Sequence, residues 1–429
     1  MKKIKYFLLI AIFLLILLQA SNTLGKYQYG VSEKLEITSD KFYANGAVLY
    51  DKYVLEGDQS VITDVSINNF ITDDQTDLDI TFEISITSDI FDLLIDDTLV
   101  TDGKTTITVN GKQKNTKDLN ISFVKKDGKT FTDSTDVLLE INTIRPYTKN
   151  VLSKKITIVD EKNLNEHIIL KRDVWQSGLS GDGLRYIGKA PDNYACFGTT
   201  NKTTCLGNED VYMYRIIGVF KDSSNVNHTK LIKYKQLKDK SLWYSKDSTA
   251  SWEISVVNSN INGSHFLTKT ATYPYLATDT AWYSSIMDWD FRSVIGASSK
   301  FKDAYAREQN APIYNSKIGL MYDSDIGLAL GESGLNTTAW RNTSYPLVNS
   351  WLHQSNNDTS VSQYEWTISV YCNGCSHYYA NGITPQGTLD ALRYNVYANS
   401  SRPVFYLTEN MKYVSGNGKK TNPYIIENS

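Results

Sequence analysis

The sequence predicts a mainly β chain of more than one domain, and three observations carry that prediction. Residues 30–160 hold short segments of period-two alternation, separated by Gly, Asn and Asp turn signals. Composition then changes sharply: all 8 tryptophans lie after residue 170, as do all 4 cysteines, and the 5 histidines begin at His167. The remaining chain is aromatic-rich, with many short strands and turns. The change places a domain boundary near 160–180.

In the first domain, residues 30–160, Leu78, Ile80, Phe82, Ile84 and Ile86 alternate with Asp79, Thr81, Glu83 and Ser85, the pattern of a half-buried strand. Thr105–Val109 is followed by Asn110-Gly111, a hairpin signal. Leu119–Phe123 alternates again, and Asp127-Gly128 makes the next turn. Val137–Ile141 and Lys155–Val159 supply further strands, with Arg145-Pro146-Tyr147 interrupting the ladder. Short strands without a long amphipathic helix predict an Ig-like antiparallel β-sandwich. Asp73, Asp74, Asp77, Asp79, Asp96 and Asp97 cluster at turns and strand ends. Calcium would need a D-x-D-x-D-G spacing that is absent, so solvated loops are the simpler reading. The expected role is a stalk or assembly module.

Residues 161–179 read as a helical connector. Asn163–Trp175 carries apolar residues at helical spacing, and His167 on it reads as a packing residue. From residue 180 to 429 an α+β domain is expected. Lys230–Lys235 alternates apolar and charged residues and reads as a strand with one solvated face.

The N-terminus carries Lys2, Lys3 and Lys5 before an apolar run, Phe7–Leu18. As a helix it spans roughly 18 Å, short of the ~30 Å hydrocarbon core. That suits a signal peptide over residues 1–25, cleaved after Gly25 or Ala20, or an uncleaved anchor. In both cases the bulk of the chain is exported, and no LPxTG sorting signal offers another attachment. A secreted or membrane-attached extracytoplasmic protein is expected, touching the membrane only through this segment.

Export sets the reading of Cys196, Cys205, Cys372 and Cys375: an even count favours disulfides, and proximity favours Cys196–Cys205 and Cys372–Cys375. Zinc or a redox-active Cys372-x-x-Cys375 are the rivals, without a second knuckle or a thioredoxin-like βαβ pattern to support them. With 44 Lys+Arg against 47 Asp+Glu, a formal net charge of −3 gives nucleic-acid binding no electrostatic support. A nucleophile elbow, Walker loop, H-E-x-x-H and dinucleotide fingerprint are absent, and no cofactor or metal is expected. Asp288/Asp290 and Asp323/Asp325 are paired carboxylates of a common kind.

Several segments in the second domain form an ordered series. They are Leu184–Gly188, Pro191–Phe197, Tyr214–Phe220, Lys230–Lys233, Lys317–Asp325, Glu365–Ser369, Arg402–Leu407, Tyr413–Gly418 and Asn422–Ile426. In this order they resemble an uncharacterised family of bacterial surface domains, DUF6273-like, common in Gram-positive gut bacteria. The resemblance covers roughly residues 180–429. It implies an exported or envelope protein without an assigned activity. The terminal motif is also similar to the end of C-type-lectin-like and formylglycine-generating-enzyme-like domains, which implies short helices with twisted antiparallel strands and long ordered loops.

The densest polar-aromatic cluster is Trp366, Tyr371, His377, Tyr378, Tyr379 and Asn381, beside the C-x-x-C. It is the candidate ligand site, because aromatic platforms bind sugars and peptides at low entropy cost. The competing reading is that these aromatics pack the domain's own core. The expected function is non-catalytic: adhesion to a glycan or protein at the cell surface, or surface assembly. The alternative is an extracytoplasmic enzyme of the formylglycine-generating type, with copper held by two thiols.

Overall fold

The computed structural model describes residues 36–39, 42–45, 49–71, 74–237, 240–243, 252–253, 255–262, 280–294, 296, 299–339, 347–353, 364–372, 379–393 and 398–428. The N-terminal apolar segment, with the cleavage expected after Gly25 or Ala20, lies outside them. The protein is mainly β and divides into two compact units, Met1–Glu161 and Lys162–Ser429.

The first unit is a two-sheet sandwich. One sheet runs Glu36–Ser39, Phe42–Asn45, Gln59–Asn68, Thr116–Lys125, Phe91–Ile95, Thr98–Leu99. The other runs Lys104–Val109, Ile80–Thr87, Ser134–Arg145, Lys149–Val159, Lys52–Val54. Alternation does what the sequence predicts: Ile80, Phe82 and Ile84 face inward with Val137, Leu139 and Ile141, and meet Ile121 and Phe123 in one core. Pairing is antiparallel except where Lys52–Val54 runs parallel to Lys149–Val159, Lys52 opposite Thr157.

The hairpin expected at Asn110-Gly111 is corrected. Lys104–Val109 pairs with Ile80–Thr87, whereas Thr116–Lys125 belongs to the other sheet, so the chain crosses between sheets here. Gly111 is needed for a close approach, since a Cβ there would lie 2.5 Å from the Asp77 carbonyl oxygen. Its N–H donates to Asp79 Oδ1 at 2.8 Å, and the Asn120 N–H donates to Asp96 Oδ1 at 3.1 Å. Those two carboxylates hold turns, and Asp73 lies outside the described residues.

In the second unit a sheet of nine strands forms the frame. Its central path is Ile318–Gly319, Val404–Tyr406, Asn227–Lys233, Met213–Lys221, Tyr194–Cys196, Tyr424–Glu427, Lys412–Ser415. Leu184–Arg185 pairs alongside Met213–Lys221, and the last strand runs parallel to Tyr194–Cys196. The turn before that strand uses Gly416 and Gly418, both at positive φ; a Cβ on Gly418 would meet the Asp192 carbonyl at 2.1 Å. A smaller sheet, Glu365–Cys372 with Tyr379–Ile383 and Leu389–Arg393, and a two-stranded ribbon, Trp289–Arg292 with Ile313–Ser316, flank it.

The segment read as a connector is built into this unit. Helix Leu164–Lys171 is capped by Asn163, which accepts the Glu166 N–H, and ends at Arg172 in the left-handed region. Leu164, Ile168 and Ile169 join the second core, and His167 stacks on Tyr413 at 3.5 Å. Cys196 and Cys205 form a disulfide that ties Tyr194–Cys196 to helix Lys202–Gly207. Cys372 ends a strand, and Cys375 lies outside the described residues.

Candidate functional site

The site expected from sequence is only partly described, and two of its members are interior. Trp366 is fully buried, its Nε1 donates to the Ser241 carbonyl at 2.8 Å, and its ring meets Trp243 edge-on. Asn381 is fully buried too, and its Nδ2 donates to Asp323 Oδ2. Reading them as a surface platform is therefore corrected. Both sit on inward-facing strand positions, and the tryptophan has the volume the core needs. Tyr379 is half-buried on the strand opposite Cys372. The side chain of Tyr371, and all of His377 and Tyr378, lie outside the described residues.

A different constellation emerges where five of the segments singled out in the sequence meet. Asp325, near the start of helix Asp323–Leu328, is completely buried. Its Oδ1 accepts from Arg185 Nη1 at 2.6 Å and its Oδ2 from Lys230 Nζ at 2.6 Å. The Tyr322 N–H adds a third bond at 2.8 Å. Arg185 also grips Asp182, through Nε at 2.9 Å and Nη2 at 2.8 Å. The Lys230 ammonium lies 4.6 Å from the Tyr322 ring centroid, 5.3 Å from Phe220 and 5.4 Å from Tyr406.

The Lys230 segment is thus not a strand with a solvated face. Lys230 and Lys233 are both buried, and Lys233 Nζ donates to the Val211 carbonyl at 2.7 Å. Isolated buried charge is costly, so the sequence can place a lysine here only because a carboxylate arrives from 95 residues away. Burial alone would raise the Asp325 pKa, but Lys230 and Arg185 outweigh it and hold the carboxyl below its ordinary range.

Two more carboxyls complete the interior group. Burial pushes Asp323 up to about 6, only partly opposed by donation from Thr367 Oγ1 and Asn381 Nδ2. Glu308, on helix Phe301–Gln309, is driven well above its usual range by burial and then by Asp323 and Asp325. It is bonded to both the N–H and the hydroxyl of Ser324.

Above this group opens a cleft of about 410 Å³. Arg185, Lys230, Glu308, Tyr322 and Tyr406 line its depth; Asp288, Trp289, Asp290 and Arg292 form one rim and Lys221 and Asp222 another. The Trp289 indole stacks on the Tyr406 ring with centroids 3.7 Å apart and planes within 10°. Asp290 Oδ1 accepts from Asn315 Nδ2 at 3.1 Å across the ribbon. Asp222 Oδ1 is occupied by the N–H groups of Ser224 and Val226, at 2.8 and 2.9 Å. The exposed Asp288 carboxylate has no hydrogen-bond partner among the described residues. The pairs Asp288/Asp290 and Asp323/Asp325 were visible in the sequence; that one pair rims a cleft and the other lies in the interior was not. A lysine and an arginine placed within otherwise apolar strand patterns were the available signal.

Among the described residues no helix is long and apolar enough to cross a membrane, and no group of three or more His, Cys, Asp or Glu is arranged to hold a metal. No family model and no curated protein matches the chain. Solved structures overlap parts of it. The cupredoxin domain of amoB from Nitrosocaldus yellowstonii is 11% identical over 24% of this chain and 57% of that one, with a TM-score of 0.16. The E. coli chaperone DraB is 12% identical over 26% of this chain and 51% of its own, with a TM-score of 0.17. ACE19, the collagen binding subdomain of Enterococcus faecalis surface protein ACE, is 12% identical over 29% of this chain and 100% of its own, at 0.16. This chain thus spans between half and three-fifths of the first two. At these TM-scores the overlaps assign no function.

Proposed function

We propose that this chain is an exported bacterial cell-surface protein whose second unit is a non-catalytic binding module, with the ligand seated in the Trp289 cleft. The observation that carries the reading is the cleft itself. It lies at the low end of the ~300–1,000 Å³ typical of ligand sites, with an aromatic wall and a few polar groups at its rim. Its interior charges are engaged with one another: Asp325 with Arg185 and Lys230, Asp182 with Arg185. An arrangement so paired supports a part in holding the shape of the cleft. The basic N-terminus with its short apolar run, and the disulfide, support an extracytoplasmic setting. The partner is a glycan or a protein of a cell surface. No observation favours the formylglycine-generating alternative, and Cys196 and Cys205 are committed to each other.

The test is adhesion of the purified full chain to immobilised bacterial and host cell-surface extracts. Trp289→Ala and Asp288→Ala are expected to weaken capture by roughly tenfold or more while circular dichroism is unchanged. Capture equal to the wild type in both variants removes the cleft as the site.

A further inference from the structure

We infer that the cleft selects a neutral sugar ring, the terminal residue of a surface glycan. This rests on the cleft being the binding site and goes on to name what fills it. The choice among ligand classes turns on which groups remain uncommitted. At the rim, three carboxylates (Asp222, Asp288, Asp290) face two cations (Lys221, Arg292), so an anionic ligand meets repulsion before it meets a donor. The deeper cations cannot receive an anion either, because Arg185 and Lys230 already share Asp325 at 2.6 Å each. A cationic ligand is served little better. Asp222 is held by its own turn, Asp290 holds Asn315, Asp325 is saturated and Glu308 is bonded to Ser324, which leaves Asp288 as the lining carboxyl without a hydrogen bond among the described residues.

What the cleft does offer fits a polyhydroxylated ring. Trp289 is half-buried and kept flat by its stack on Tyr406, so the indole cannot turn away from a ligand. A flat, immobilised aromatic suits the C–H face of a pyranose, which covers apolar surface without charge. Asp288 precedes Trp289 in sequence and lines the cleft with it, an exposed acceptor for a ring hydroxyl. Arg292, on the same strand, is braced by donation of Nη1 to the Gln309 carbonyl and leaves its other nitrogens to donate. Asp288 and Arg292 thus put an acceptor and a donor for hydroxyl groups into the lining that holds Trp289. Tyr322 places a hydroxyl deeper in, already accepting the Arg292 N–H at 3.0 Å and so oriented to donate onward. The volume, about 410 Å³, holds a sugar or two rather than a folded peptide.

Isothermal titration calorimetry of the full chain tests this with defined probes: methyl glycosides of neutral hexoses and N-acetylhexosamines, glucuronate as an anion, and cadaverine as a dication. Saturable heat is expected from at least one neutral glycoside. It should weaken roughly tenfold or more in Trp289→Ala and in Asp288→Ala. Trp289→Phe, which keeps a ring on Tyr406, should retain most of the affinity and guards against a variant that fails to fold. Binding of glucuronate or cadaverine in place of the glycosides overturns the sugar assignment and leaves the cleft as the site. So does silence from every probe while surface capture still depends on Trp289. Glycoside binding that is unchanged in both alanine variants overturns the sugar assignment to this cleft and the cleft reading together.

Discussion

Asp325 is the residue on which the second unit's interior chemistry depends. It is a single carboxylate serving two cations, and both cations are almost wholly buried: Arg185 is 3% exposed at its side chain and Lys230 1%. Removing the anion while keeping the cations is the damaging change, because it strands charge in the interior. Asp325→Ala is expected to cost about 3–5 kcal/mol, measured by urea unfolding. Lys230→Met should cost less, since Arg185 still neutralises the carboxylate and the methionine fills the space among Phe220, Tyr322 and Tyr406. Equal losses in the two variants would contradict this account of the cluster.

Asp323, two residues earlier, gives the opposite pH behaviour. Its folded pKa of about 6 lies above the ordinary 3.8, so the folded chain holds the proton more tightly than the unfolded chain does. The stability from that proton is full below about pH 3.8 and is lost as pH rises through about 6. At 1.36 kcal/mol per unit the loss is about 3 kcal/mol. Asp323→Asn removes the titration. Its amide can accept from Asn381 and donate to Thr367 Oγ1, which then donates to the Asn381 carbonyl 3.3 Å away. Across pH 4–6 the unfolding free energy of this variant should therefore gain on the wild type; parallel curves would contradict the assignment.

At the scale of elements, the disulfide closes a short loop between Tyr194–Cys196 and helix Lys202–Gly207. Loop-closure entropy for about ten residues is worth roughly 2.5–3 kcal/mol, so reduction should lower the unfolding free energy of the second unit by that order. A shift below about 0.5 kcal/mol would mean the strand pairing of Ala195 with Tyr424 holds the loop by itself. Strands were legible because alternation is a local signal: Ile80, Phe82 and Ile84 declare their face within a few residues. Asn110-Gly111 misled because the dipeptide reports a turn without reporting which sheet receives the next strand. The backbone of Asp77 and Leu78, which crowds Gly111, explains the glycine, and that contact is not local.

For the whole molecule, the mainly β class and a composition change marking a boundary near 160–180 were readable, and the chain divides after Glu161. The second unit's site was not. Its cluster joins Arg185 to Asp325 across 140 residues and Lys230 to Asp325 across 95, and no period links them. The aromatic abundance that pointed to Trp366 was real but reported core, with Trp243, Trp252, Trp351 and Trp366 all fully buried. Trp289, half-buried on a two-stranded ribbon, gave no such density and is the tryptophan that lines the cleft among the described residues. Hydrogen–deuterium exchange on the full chain, with and without a cell-surface polysaccharide extract that it captures, locates the contact directly. Slowed exchange over residues 287–292 and 313–316 is the predicted result. Slowing confined to residues 52–159, with the Trp289–Arg292 ribbon unchanged, would contradict the assignment of binding to the cleft.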